Sequence, residues 1–97
     1  MKTKNENGKL MVTVEGRLDA ATAPELPEAV KQEDFQELTV DLENLEYISS
    51  AGLRGLLQCQ KMAAAKNASM IVRKPTAAVY DVMRMSGFTK ILDIQEQ

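Results

Sequence analysis

The stretch from Leu38 to Ala65 most limits what this chain can fold into. Leu38, Val40 and Leu42 alternate with Thr39, Asp41 and Glu43, the two-residue period of a strand. Just downstream, Leu53, Leu56 and Leu57 recur at helical spacing, and small residues continue to Ala65. Ser49 and Ser50 lie where one period gives way to the other. A hydroxyl ahead of a helix accepts hydrogen bonds from the unpaired N–H groups of its first turn. The stretch therefore predicts a strand, a short loop, a serine pair and a helix. In open α/β sheets, partners and ligands gather at such strand-to-helix junctions.

The flanking segments extend the same alternation. Residues 1–8 are polar and are expected to fray. Leu10, Val12 and Val14 alternate with Met11, Thr13 and Glu15 to make a first strand. Gly16 breaks the pattern as a bulge or turn, and Arg17-Leu18 is expected to run back antiparallel to that strand. Asp19 and Thr22 are good caps and Pro24 suits a first turn, but Pro27 conflicts with an early helix. The helix carrying Leu26, Ala29 and Val30 is therefore expected to start late, after an irregular turn at residues 22–24. Residues 32–36 read as a loop with Phe35 packed inward, and residues 43–46 as a polar turn anchored by Leu45. The helix after the serine pair has room to reach Lys66, with Asn67 as its C-terminal cap. Met70, Ile71 and Val72 suggest a strand buried on both faces. Pro75 opens a third helix through Val79, Val82 and Met83, Gly87 stops it, and Ile91, Leu92 and Ile94 suggest a last strand. The fold class is α/β: a mixed, mostly parallel sheet of about five strands with helices packed against it.

Composition narrows the function. The 97 residues suit one compact domain, and 44% apolar content builds a core without disulfides or metals. A net charge of −2 argues against nucleic acid or an anionic membrane as partner. Cys59 is the only cysteine, which fits a reducing compartment. The polar start, Met1 to Asn7, lacks the apolar segment of a signal peptide, and no apolar run approaches the ~20 residues of a membrane span. A cytoplasmic monomer is expected. Histidine is absent, so Ser–His and Cys–His nucleophile pairs are impossible and the commonest metal ligand is missing. No metal or cofactor is expected. Ser50 as an enzymatic nucleophile fares poorly, because no lysine stands in a Ser-x-x-Lys pattern either.

Three segments together resemble the STAS domain, in the form of the bacterial anti-sigma factor antagonists. Gly16-Arg17-Leu18-Asp19-Ala20-Ala21-Thr22-Ala23 is similar to the family's Gly-x-Leu-Asp-x-x-Thr-Ala. Val40 to Leu57 carries Ile48-Ser49-Ser50-Ala51-Gly52-Leu53 at its centre, and Met85-Ser86-Gly87-Phe88 resembles the end of the family's third helix. The family's usual motif is Asp-Ser-(Ser/Thr)-Gly-Leu. Here Ser49 replaces the aspartate, Ala51 replaces the second hydroxyl residue, and Gly52 and Leu53 match.

The resemblance implies that Ser50 is phosphorylated by an anti-sigma factor serine kinase using ATP, and that a serine phosphatase resets it. The unphosphorylated protein would bind the kinase and free a sigma factor, in a partner-switching control of transcription. Phosphate adds a charge of about −1.5 to −2, which a helix N-terminus tolerates and a docking surface built around a neutral hydroxyl does not. A serine pair before a helix is by itself most often a cap, and Ser49 reads as that cap. Asp19 and Thr22 are turn residues by default and docking-face neighbours of Ser50 in the family reading. The resemblance implies a partner-binding face of Asp19, Thr22, Ser49, Ser50, Gly52, Leu53 and Arg54, in which Gly52 also permits close packing and Arg54 points outward toward the partner. The alternative is a non-phosphorylated STAS accessory or scaffold subunit of a membrane transport or signalling complex.

Overall fold

A computed structural model of the chain describes residues 1–96. Five strands form one sheet in the order β1 (Lys2–Glu6), β2 (Lys9–Thr13), β4 (Glu37–Asp41), β6 (Ser69–Arg73), β7 (Ile94–Gln95). β1 runs antiparallel to β2, and every other pairing in this sheet is parallel. Two further strands, β3 (Gly16–Leu18) and β5 (Leu45–Ile48), pair with each other. The helices are α1 (Glu25–Lys31), α2 (Ser50–Ala65) and α3 (Ala77–Met85), followed by a 3₁₀ turn at Phe88–Lys90. The mixed, mostly parallel α/β sheet read from the sequence is the one observed. Among the described residues no helix is long and apolar enough to cross a membrane.

Cross-strand register explains which face is covered. Leu10, Leu38 and Met70 lie side by side, as do Val12, Val40 and Val72, and all six are buried. Met11, Thr39 and Ile71 form the row between them on the opposite face and are only half-buried. The helices therefore line one side of the sheet. This corrects the expectation for β6, whose Ile71 is not enclosed. Leu26 and Val30 of α1, Leu56 and Cys59 of α2, and Val79 and Met83 of α3 join the sheet residues in one core.

Four other expectations change. The polar start is β1 rather than a frayed end. Asn7 (φ 54°) and Gly8 (φ 85°) both adopt the left-handed region that a tight hairpin turn requires. Asn5 then ties the hairpin to the loop after α1, donating from Nδ2 to Glu33 Oε1 (3.1 Å) and the Asp34 carbonyl (2.9 Å). Arg17-Leu18 does not fold back on β2: β3 pairs in parallel with β5, with a register shift at Gly16 (φ 72°). Leu45, read as the anchor of a polar turn, is instead the first residue of β5, and both it and Ile48 at the end of that strand are buried. The last strand shrinks to Ile94–Gln95, because Gly87 (φ 78°) leads into the 3₁₀ turn and leaves Ile91 exposed.

The helix ends follow from local chemistry. Pro27 falls in the first turn of α1, where its missing N–H has no intrahelical acceptor to lose, so the late start stands. Asn67 (φ 57°) ends α2, with its N–H donating to the Ala64 carbonyl and that of Ala68 to the Ala63 carbonyl. Thr76, not Pro75, caps α3: its Oγ1 accepts from Val79 N–H (3.4 Å) and donates to the Leu45 carbonyl (3.0 Å).

Leu56 is fully enclosed between α2 and the sheet. Leu56→Ala is expected to lose about 2–5 kcal/mol of unfolding free energy, read as a lower urea midpoint at unchanged m value.

Candidate functional site

The serine pair divides its labour at the start of α2. Ser49 is the cap. Its Oγ accepts from Gly52 N–H (3.3 Å) and faces the Leu18 carbonyl (3.4 Å), and its carbonyl accepts from Leu53 N–H (2.9 Å). Its own N–H donates to the Leu18 carbonyl (3.0 Å), which joins the small sheet to the helix. Ser50 is the first helical residue and is exposed. Among the described residues its hydroxyl has no hydrogen-bond partner. The caps of α2 and the start of α3 thus use one hydroxyl each, and Ser50 is left over.

Gly52 is where α2 comes closest to β3. A Cβ on it would collide with the Leu18 carbonyl oxygen and would stand 2.7 Å from Ile48 Cγ1. Gly55, three residues on, faces the Ala23 carbonyl, which would lie 3.2 Å from a Cβ. These two glycines let the helix lie against the chain that leaves β3. Leu53 is 4% exposed and turned into the core, so it contributes no side chain to the outer face. The two motif residues expected to meet a partner, Gly52 and Leu53, thus act through backbone approach and packing.

The turn at residues 19–24 is held from within. Asp19 Oδ1 accepts from Ala21 N–H (3.1 Å) and Thr22 N–H (3.3 Å), and Thr22 Oγ1 accepts from Asp19 N–H (3.0 Å) and donates to the Arg17 carbonyl (2.9 Å). Arg17 Nε lies 3.5 Å from Asp19 Oδ2. Desolvation is the largest single influence on the Asp19 carboxyl and raises its pKa. The hydrogen bonds from Ala21 and Thr22 and the Arg17 contact together outweigh it, so the net pKa is lowered. Asp19 and Thr22 therefore shape the loop beside Ser50.

The outward surface next to Ser50 combines small, basic and aromatic groups. Ala20, Ala23 and Pro24 on the turn and Ala51, Arg54, Gly55 and Gln58 on α2 line an open groove. Arg54 is exposed, as expected. Tyr47 is 42% exposed, with the Arg17 guanidinium carbon 4.3 Å from its ring centroid. Arg17 and Tyr47 thus join the surface beside Ser50 without belonging to the expected partner-binding residues. No sequence period marks them, because they become direct cross-strand partners only in the short β3–β5 ladder. Among the described residues no cluster of histidine, cysteine and carboxylate is placed to hold a metal. Burial pushes the Cys59 thiol up to about 12, which leaves it a packing residue at neutral pH.

Fold and site together define a small α/β module that offers one unpaired hydroxyl at a helix start. The family model described as "Mlab, STAS domain" matches residues 1–93. The chain belongs to the STAS domain family. It is 28% identical over 97 residues to an anti-sigma F factor antagonist of Paenibacillus polymyxa, covering 96% of this chain and 83% of that protein. BtrV of Bordetella bronchiseptica, named for the same antagonist class, is 32% identical over 91 residues, covering 91% of this chain and 78% of that protein. Among solved structures it is similar to the Bacillus anti-sigma factor antagonist SpoIIAA. The TM-score is 0.79 to the unphosphorylated form, at 17% identity over 96% of this chain and 85% of that one. It is 0.73 to the phosphorylated form, at 16% identity over 96% and 88%. A sulfate transporter family protein from Wolinella succinogenes shares the fold at TM-score 0.83, with 13% identity over 95% and 80%.

Two predictions test the local chemistry. Gly52→Ala must displace backbone and is expected to cost about 1–3 kcal/mol in denaturant unfolding. For Asp19 the folded pKa lies below the unfolded one, so its contribution is complete above the unfolded pKa and fades as pH falls through the folded value. Asp19→Asn should therefore be less stable than wild type at neutral pH. The gap should close as pH falls below the ordinary carboxyl value of 3.8.

Proposed function

We propose that the protein is an anti-sigma factor antagonist whose unphosphorylated form binds an anti-sigma factor serine kinase and whose binding is abolished by phosphorylation of Ser50. The carrying observation is that Ser50 is exposed at the first position of α2 while Ser49 does the capping. The named relatives are antagonists, regulatory binding proteins rather than enzymes, which supports the same role here. The similarity to a protein solved in both unphosphorylated and phosphorylated forms supports a switch that leaves the fold intact.

The chemistry is a phosphoryl transfer carried out by the partner. The Ser50 Oγ forms a bond to the γ-phosphorus of ATP, the bond between that phosphorus and the β,γ-bridging oxygen breaks, and ADP leaves. The hydroxyl proton passes to a base on the kinase. The product sits at the first turn of α2, the positive end of the helix dipole, so the added charge does not destabilise the helix. On the docking face the same charge and bulk displace a surface fitted to a hydroxyl. A loss of ~1.4 kcal/mol there already weakens binding tenfold. A serine phosphatase would restore the hydroxyl.

Incubation with the kinase and ATP should place one phosphate on Ser50, located by mass spectrometry. Ser50→Ala should take up none, retain binding, and unfold within about 0.5 kcal/mol of wild type. Phosphate on Ser50→Ala at the wild-type rate would overturn the assignment. The second reading, a non-phosphorylated accessory subunit of a transport or signalling complex, is favoured by the shared fold of the sulfate transporter family protein. Recovery of a transport subunit instead of a kinase in a pull-down would select it.

A further inference from the structure

Ser50 and Arg54 are four residues apart on the outer side of α2, and both are exposed. At 3.6 residues per turn they point within about 40° of each other, with Cβ atoms roughly 5–6 Å apart. Helical side chains lean toward the N-terminus, which gives the long Arg54 side chain the reach to fold back toward Ser50. An anion placed N-terminal to a cation at this spacing is the favourable orientation of such a pair. Among the described residues Arg54 has no ion-pair or hydrogen-bond partner. Nothing on its own helix balances it, since the first turn of α2 has no acidic residue and the cap is a neutral serine. A cation this near a helix N-terminus is itself mildly unfavourable. The remaining charged groups of the junction are Glu46 on β5 and the pair of Arg17 and Asp19, which engage each other.

We propose that Arg54 closes onto the phosphate of phosphorylated Ser50, so that modification removes from the docking face the cation that otherwise meets an acidic group of the partner. This rests on the reading of Ser50 as the phosphoacceptor. It adds a second element to the switch: the new anion repels, and the basic contact is withdrawn at the same time. A guanidinium suits the role because its planar fork binds two phosphate oxygens together. Arg54 lines the groove next to Ser50, so a guanidinium folded onto the phosphate is withdrawn from a partner seated in that groove.

The test needs no kinase. Phosphoserine is encoded directly at position 50 of the full chain, and the ³¹P shift is followed against pH at low salt. Phosphoserine titrates near pH ~6, and a clamping guanidinium favours the dianion. Arg54→Gln should raise that pKa by about half a unit, roughly a threefold gain in proton affinity. Arg54→Lys should fall between the two, and the difference should shrink in molar salt. Arg17→Gln, which removes a cation of the same junction that does not clamp, should raise the pKa clearly less than Arg54→Gln does. Superimposable curves for wild type and Arg54→Gln, or an equal effect from Arg17→Gln, would overturn the clamp while leaving phosphorylation-dependent binding untouched. Conversely, a Ser50 that no kinase modifies would defeat the functional reading without altering these curves.

Discussion

The architecture of the candidate site depends on one close approach, that of α2 to the backbone leaving β3. The Leu18 carbonyl receives the Ser49 N–H and sits against the bare α-carbon of Gly52. Without a side chain at that position the helix slides in until its cap and the small sheet share a hydrogen-bonding group. Gly55 continues the approach against Ala23. The result is a helix whose first turn is held rigidly by a neighbour on one side and is open to solvent on the other. Ser50 lies on the open side because Ser49 already occupies the capping position.

Much of this was legible in the residues. The change of period at Ser49–Ser50 placed the strand-to-helix junction, and the alternations at Leu10 to Val14 and Leu38 to Leu42 placed the central strands. The delayed start of α1 followed from proline chemistry, and the end of α2 from Asn67. What was missed is long-range pairing. β1 contains only polar residues, so no period marked it, and the Asn7-Gly8 turn that builds it was the one available cue. β3 and β5 are too short for an alternation to register, and their pairing crosses the whole of α1 and β4. A segment of three residues carries no information about which strand it will lie beside. The same gap hid the stacking of Arg17 on Tyr47, since that contact exists only through the pairing.

The site residues divide by what holds them. Asp19 and Thr22 are saturated by each other and by nearby backbone, and Leu53 is absorbed by the core. These groups set the shape of the surface beside the serine. Ser50, Arg54 and the small residues of the groove are the ones a protein arriving from solvent would meet. Family motifs mix the two kinds freely, because a scaffold position and a contact position are equally constrained in residue type. Burial and hydrogen bonding separate them.

The bare side of the sheet has a practical consequence. Met11, Thr39 and Ile71 look away from the helix layer that carries Ser50, and the polar β1 borders them. A fluorophore, a surface anchor or a fused protein attached at that rear wall would leave the serine approachable. The molecule can therefore be immobilised by its back while its front is titrated.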